Sequence, residues 1–226
     1  MFAQLRTHNR LHESILLFVM TLCCFGLSLF RIYITDSRAF LFLNWNLFLA
    51  FIPWALSSLM IINPALQQRK GMILLLVGAW LLFFPNAPYI FTDLFHLHDH
   101  TTIPIWFDLV LILAYAWTGL LFGFLSLWDM EKMLRPFIRK PRLNLLISGF
   151  LFLSAFGIYL GRYLRWNSWD ILSKPGTLLG DVGDRFIHPF DHPRTWGVTF
   201  FMGLLLNLIY WSFKLIRKRG IEQSSI

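Results

Sequence analysis

The chain has 226 residues, of which 57% are hydrophobic and 14% charged, and its mean hydropathy is +0.59. Soluble globular proteins carry about 25% charged residues, so this composition indicates a membrane protein with little chain left for a soluble domain. The net charge of +8 does not indicate nucleic-acid binding, because the basic residues flank apolar runs, where they act as topology signals.

Six apolar runs are long enough to cross a bilayer, which takes about 20 residues per helix. They predict an all-α fold, a polytopic transmembrane helix bundle that forms a single integral membrane domain. The longest stretch outside the spans, 162–194, mixes aromatic and charged residues, which is typical of a segment lying along the membrane surface. The predicted spans are 15–34, 40–62, 72–91, 105–127, 143–161 and 195–213.

The distribution of Lys and Arg predicts the orientation. If the N-terminus is cytoplasmic, 13 of the 20 basic residues fall on the inner side and 7 on the outer side, as the positive-inside rule requires. Most aspartates and histidines fall on the outer side instead. We therefore expect both termini in the cytoplasm and look for function at the outer face.

The third predicted span is broken by the sequence Phe-Pro-Asn-Ala-Pro-Tyr at 84–89. Pro85 and Pro88 lack an N–H, so two carbonyls one turn earlier lose their helical donors. Non-helical backbone at this depth is tolerated when it packs in protein or lines a polar cavity. Asn86 and Tyr89 favour a polar cavity, whereas the prolines alone are also typical of a simple helix kink.

Asp108 is the only formally charged residue that we place within a span rather than near its end. A carboxylate there is costly, so by default it is a functional residue that faces the bundle interior; the alternative is a hydrated group near the interface. Asn44 and Asn46 lie at a similar depth in the second span. Because they point in different directions on a helix, at most one of them faces the same interior as Asp108.

Asp93 and His96 follow the proline break at positions i and i+3, on one helical face. A carboxylate and an imidazole at this spacing can bind a divalent metal such as zinc, or act as an acid–base pair. His98 and His100 come next and alternate as in an extended segment.

His188 and His192 have the H-x-x-x-H spacing, which presents two imidazoles from one helical turn. Pro189 and Pro193 weaken the helical interpretation. Two hypotheses remain: metal ligands that act together with the carboxylate and imidazole of the third span, or solvent-exposed loop histidines.

The fifth span ends in a segment rich in Arg and Trp. In a continued helix Arg162, Arg165, Trp166 and Trp169 would form one stripe, with Asp170 directly after it. Arginine forks suit phosphate and carboxylate, so the stripe is a candidate site for an anionic substrate. The alternative is a set of arginines and tryptophans that only anchor the helix at the head groups.

Four segments distant in the sequence thus place polar residues near the same outer surface. A charge at this depth is held by an opposite charge or by an anionic ligand. We therefore expect Arg162 or Arg165 within hydrogen-bond reach of Asp93 or Asp108, directly or through one water.

Four motifs occur in order: Asn-Trp-Asn-Leu-Phe-Leu-Ala at 44–50, the proline motif followed by Thr-Asp-Leu-Phe-His-Leu at 92–97, Trp-Phe-Asp at 106–108, and Gly-Arg-Tyr-Leu-Arg-Trp-Asn-Ser-Trp-Asp at 161–170. Together they resemble the domain of unknown function 1361 family of bacterial integral membrane proteins, over roughly residues 40–213. The resemblance implies a bacterial plasma membrane and points to the same outer-face residues. It implies no catalytic role for any of them.

Three functions remain open. The first is a membrane-embedded hydrolase or transferase, with or without a divalent metal, acting on a lipid or an anionic, lipid-linked substrate. The second is a small transporter or permease component, and the third is a non-catalytic assembly or partner protein. Membrane lipids are the expected partners in each, and no nucleic acid is expected.

The enzyme hypothesis assigns roles to three groups of residues. The catalytic candidates are Asp93, His96 and Asp108. The substrate-binding candidates are Asn44, Asn86, Tyr89, Arg162, Arg165, Trp166 and Asp170, and the metal-ligand candidates are His188 and His192.

Overall fold

The computed structural model of the chain describes residues 10–97 and 103–223, and it is 86% helical. Six helical segments are long and apolar enough to cross a membrane. The predicted all-α fold with six spans is therefore confirmed, while His98 and His100 lie outside the described residues. The α-helices are α1 (Leu11–Thr35), α2 (Phe42–Ile62), α3 (Pro64–Gln68), α4 (Lys70–Phe83), α5 (Asn86–Tyr89), α6 (Ile105–Leu134), α7 (Lys140–Leu164), α8 (Asp170–Ser173), α9 (Pro175–Ile187) and α10 (Pro193–Gln223), and the two 3-10 helices are Ile90–His96 and Pro189–Asp191.

Contacts group the helices into two compact units, Met1–Phe137 and Ile138–Ile226. In the first unit α6 is the central helix, because it contacts α1, α2, α5 and the first 3-10 helix. Its buried face includes Leu111, Ile112 and Tyr115, each with no measurable exposure. The prediction of a single membrane domain remains a prediction.

Two helices of the first unit are longer than hydropathy predicts. α6 continues to Leu134, beyond the predicted end at 127, and α1 begins at Leu11, before the predicted start at 15. Hydropathy underestimates the length of both helices because their ends carry charged residues. The structure buries two of these residues, Arg10 and Asp129, so the end of the apolar run is not the end of the packed helix.

The third span is interrupted at the prolines, as predicted. α4 ends at Phe83, a single turn of α-helix follows, and the chain continues as a 3-10 helix. The Phe84 carbonyl, which loses its helical donor to Pro88, accepts the Ala87 N–H at 3.2 Å. The Asn86 side-chain amide donates to the Phe83 carbonyl at 2.9 Å. Asn86 therefore stabilises the interrupted backbone, and its predicted role in substrate binding remains a prediction.

Two glycines of α6 allow the interrupted span to pack closely. A Cβ at Gly119 would lie 2.9 Å from the Ala87 carbonyl oxygen and 2.8 Å from Ile90 Cδ1, and a Cβ at Gly123 would lie 2.7 Å from Ala87 Cβ. Small residues four apart let transmembrane helices approach closely, because no side chain separates their backbones. The proline break is thus held against α6 by backbone proximity.

In the second unit α7 and α10 pack side by side, and the segment between them contains α8, α9 and the second 3-10 helix. This segment exposes large apolar side chains: Leu179 is 66% exposed, Ile187 72% and Phe190 94%. Both of its ends join helices apolar enough to cross a membrane. These features support the prediction that it lies along the membrane surface.

The glycine contact gives a testable prediction. Gly119→Ala should lower the stability of the purified protein by about 1–3 kcal/mol, because its Cβ meets a backbone carbonyl that cannot move without disturbing the proline break. Gly78→Ala is the matched control, since a Cβ at Gly78 meets nothing within 4 Å. Thermal unfolding of both variants in one detergent checks this prediction. If Gly119→Ala and Gly78→Ala were equally stable, the close approach at Gly119 would not contribute to stability.

Candidate functional site

The strongest polar contact in the first unit is a buried ion pair between α1 and α6. Arg31 Nε donates to Asp108 Oδ1 at 2.7 Å, and Nη2 donates to Oδ2 at 3.1 Å. Both side chains are 1% exposed. The guanidinium also lies over the Phe40 ring, 4.4 Å from its centroid. This bidentate geometry is the one in which an Arg–carboxylate pair is strongest.

Asp108 therefore faces the interior, as expected, but its charge is already neutralised within the first unit. Arg31 donates to both carboxylate oxygens, so Asp108 joins α6 to α1; its predicted catalytic role remains a prediction. Sequence reasoning placed the candidate partner in Arg162 or Arg165 and treated Arg31 as an ordinary basic residue at a span end. An approach of those two arginines to the first unit remains a prediction.

A second buried ion pair joins the opposite ends of the same two helices. Arg10 Nη2 lies 2.8 Å from Asp129 Oδ2, and the two side chains are 4% and 5% exposed. Ser57 Oγ donates to the same carboxylate at 3.0 Å. Sequence reasoning counted Arg10 among the topology signals and missed Asp129, because both lie outside the apolar runs.

The two pairs have matched spacing. Arg10, the N-cap residue of α1, precedes Arg31 by 21 residues. In α6, Asp129 follows Asp108 by the same interval. Because a helix rises about 1.5 Å per residue, the pairs lie about 32 Å apart along antiparallel helices. A bilayer core is about 30 Å thick, so one pair lies near each boundary of the hydrocarbon.

Between the two pairs, α6 makes further polar contacts with its neighbours. The Tyr115 hydroxyl donates to Asn44 Oδ1 at 2.6 Å, the Trp80 indole donates to Ser126 Oγ at 3.1 Å, and Thr118 Oγ1 lies 3.4 Å from the Cys24 thiol. Tyr115, Thr118 and Ser126 are each at most 1% exposed. These side chains join helices to one another, and Asn44 is thereby a structural contact between α2 and α6.

Asp93 is another buried carboxylate of the first unit, and it lies on the 3-10 helix that follows the proline break. It is 1% exposed, and Asn46 Nδ2 donates to its Oδ2 at 2.9 Å. In a 3-10 helix residues i and i+3 eclipse each other. The side chains of His96 and Asp93 are therefore more closely aligned in this 3-10 helix than they would be in the α-helix that the sequence predicts.

Aromatic rings connect this carboxylate to the Arg31 pair. The Phe42 ring makes an edge contact with the His96 imidazole at 5.4 Å, and it lies 6.0 Å from the Phe40 ring, over which Arg31 stacks. Asp93 and Asp108 thus belong to one end of the first unit. We call this the Arg31 end, and the opposite end, with Asp129, the Arg10 end.

The second unit holds the remaining predicted residues, and it does not continue the Arg–Trp stripe. α7 ends at Leu164, and Arg165 adopts the left-handed conformation with φ 60°, which turns the chain away from the helix axis. The Trp166 indole donates to Asp181 at 2.8 Å. Asp170 accepts the Asn167 N–H at 2.7 Å, and this hydrogen bond lowers the pKa of the Asp170 carboxyl. The prediction of one helical stripe is therefore wrong, because Arg162 lies in the last turn of α7 while Arg165, Trp166 and Trp169 lie beyond its end. Binding of an anionic substrate by these residues remains a prediction.

His188 and His192 both bind one carboxylate. His188 Nδ1 lies 2.9 Å from Asp184 Oδ1, and His192 Nε2 lies 2.7 Å from Asp184 Oδ2. Hydrogen bonds from the two imidazoles lower the pKa of Asp184. The two histidines flank a 3-10 helix. The H-x-x-x-H spacing therefore does not place them on one turn of an α-helix. In the described part of the chain no group of three or more His, Cys, Asp or Glu side chains is placed to hold a metal ion.

The six spans and the buried polar contacts define a polytopic α-helical membrane protein. A family model, protein of unknown function (DUF1361), matches residues 45–209. The chain therefore belongs to this family, and the matched region includes Asp93 and Asp108. No match was found among curated proteins or solved structures.

The Arg31–Asp108 pair gives a second prediction. Arg31→Gln should cost about 3–5 kcal/mol of stability, because it leaves a carboxylate buried without its cation. The double variant Arg31→Gln/Asp108→Asn should cost less than Arg31→Gln alone, since no unpaired charge remains.

Chemical or thermal unfolding of the single and double variants measures this coupling. Arg38→Gln is the matched control, because Arg38 is an exposed arginine near the same end of α1. If the cost of the double variant equalled the sum of the costs of Arg31→Gln and Asp108→Asn, a direct energetic coupling between Arg31 and Asp108 would be contradicted.

Proposed function

We propose that the chain is a membrane-embedded hydrolase or transferase that acts on a lipid or lipid-linked substrate, with Asp93 and His96 as its acid–base pair. The observation that carries the proposal is the position of Asp93: a buried carboxylate at the end of an interrupted span, oriented by Asn46. Buried carboxylates in membrane spans are costly, and they are usually retained for function.

The two carboxylates of this end contact different helices, and we propose different roles for them. Asp108 has both oxygens bonded to one guanidinium, so it holds α6 against α1. Asp93 accepts a hydrogen bond from the Asn46 side-chain amide at Oδ2, which orients the carboxylate. A carboxylate oriented in this way can take a proton from an attacking hydroxyl or water, and His96 on the next turn can deliver a proton to the leaving group.

The surroundings of Asp93 favour a lipid substrate. Phe95 lies between Asp93 and His96 in the sequence and is 64% exposed, and Trp45, next to Asn46, is 52% exposed. Large exposed aromatic side chains at the end of a span are typical of the membrane interface. A substrate with an acyl or polyprenyl tail could therefore reach the carboxylate from the bilayer rather than from water.

We further propose that this end faces the outer side of a bacterial plasma membrane, with both termini cytoplasmic. The excess of basic residues in the predicted inner segments supports this orientation. A reporter fused after residue 66 should be cytoplasmic and one after residue 180 external; the reverse pattern would move the proposed site to the cytoplasmic face. Zinc binding by the histidines remains a prediction, and the acid–base proposal does not depend on it.

The experiment compares lipid extracts of membranes containing the wild type, Asp93→Asn, His96→Gln or Asp36→Asn. Asp36 is the matched control, because it is an exposed carboxylate at the same end, beyond the end of α1. Mass spectrometry should show a lipid product whose formation falls about 10²–10⁴-fold in Asp93→Asn, as expected for loss of a general base.

Asp36→Asn should form the product at the wild-type rate, and thermal unfolding should confirm that each variant is folded. The proposal is contradicted if folded Asp93→Asn makes the product normally, or if the wild type changes no lipid species relative to membranes without the protein. The second result would favour a transporter or a non-catalytic partner.

A further inference from the structure

The Arg10 end of the first unit carries more hydrogen-bond donors than acceptors. Arg10 is 3% exposed, and its Nε and Nη1 have no hydrogen-bond partner among the described residues. The buried Ser14 Oγ and Trp54 Nε1 also lack one. Ser14 lies one turn after Arg10 on the same face of α1, and the guanidinium lies over the Trp54 ring, 5.5 Å from its centroid.

In this group, which we call the Arg10 cluster, two cations approach one carboxylate. Asp129 is its carboxylate, and both Arg10, at 2.8 Å, and Lys132, at 3.9 Å, approach it. Glu131 pairs instead with Arg135 at 3.4 Å. α1 begins at Leu11, so the partial positive charge of its N-terminus also lies at this end, together with Glu13 in the first turn.

The opposite end differs on both counts. Arg31 faces one carboxylate, so that pair is neutral, and two of its three guanidinium nitrogens donate to Asp108. Only Nη1 of Arg31 is buried without a partner among the described residues. The two ends of one helix pair thus contain the same residue types, but of the two only the Arg10 end combines several donors that lack a partner among the described residues with a second cation beside its carboxylate.

We propose that the Arg10 cluster binds a phosphate group. An anion with several acceptor oxygens would satisfy the guanidinium, hydroxyl and indole donors together, and it would balance the second cation. The cluster lies about 32 Å along the helices from the Arg31 pair, near the hydrocarbon boundary, which is the depth of lipid phosphates. Lys132 is 50% exposed, so the cluster borders the protein surface. The phosphate could belong to a lipid head group or could be free inorganic phosphate.

The test measures thermal unfolding of the detergent-solubilised protein with phosphatidylglycerol, with diacylglycerol, which has the tails without the phosphate, or with inorganic phosphate. Phosphatidylglycerol should raise the unfolding temperature and diacylglycerol should not. Stabilisation by inorganic phosphate as well would support the site with a free anion as its ligand; stabilisation by the phospholipid alone would support a lipid head group.

Variants decide whether this stabilisation comes from the cluster. Ser14→Ala removes one donor without leaving a buried charge, and Arg10→Gln/Asp129→Asn removes the pair without leaving an unpaired ion. In each, the phospholipid concentration needed for half of the stabilisation should rise about tenfold, the usual effect of losing a hydrogen bond to a charged group. Arg135→Gln, which removes a 64% exposed charge from the same end of α6, should leave it unchanged.

Three results would overturn the proposal. They are equal stabilisation by diacylglycerol and phosphatidylglycerol, no stabilisation of the wild type by either phosphate compound, and an equal loss in Arg135→Gln and in the cluster variants. The last of these would show that the lipid responds to general positive charge at this end rather than to the cluster.

Discussion

The structure of the first unit depends on one constraint, that a charge buried at membrane depth requires an opposite charge beside it. α1 and α6 meet this requirement twice, through Arg10 with Asp129 and Arg31 with Asp108. Because both intervals are 21 residues, the pairs form together only when the two helices are antiparallel and in one register. α2 also contacts α6 through polar side chains, and the interrupted third span packs against α6 at Gly119 and Gly123.

This arrangement separates structural charges from candidate functional ones. Asp108 is the most conspicuous polar residue of the sequence, yet the bidentate contact with Arg31 explains its burial without any substrate. Asp93 lies on a short 3-10 helix that follows the prolines, and the Asn46 amide donates to its carboxylate. The proline break therefore creates the local geometry that aligns Asp93 with His96. The Arg31–Asp108 pair positions the helices, and Asp93 is the proposed site of the chemistry.

Sequence patterns predicted the elements better than the contacts between them. Hydropathy gave the six spans, and the prolines gave the interruption, because both depend on local chemistry. The partner of Asp108 was missed, since Arg31 near a span end looks like a membrane anchor until the facing helix is known. Asp129 was missed because it follows the apolar run, and the Arg–Trp stripe failed because Arg165 adopts a left-handed conformation that residue type does not predict. The equal 21-residue intervals could have predicted both ion pairs, but only if α1 and α6 were already known to be antiparallel neighbours.

Cross-linking tests the paired register most directly. In a protein whose native cysteines are replaced, cysteines at 10 and 129, or at 31 and 108, should be joined by a short bis-maleimide in intact membranes. The mismatched combinations, 10 with 108 and 31 with 129, should remain unlinked, because they lie at opposite ends of the two helices. Efficient linking of a mismatched combination, or linking at one end only, would contradict the conclusion that two ion pairs fix α1 against α6.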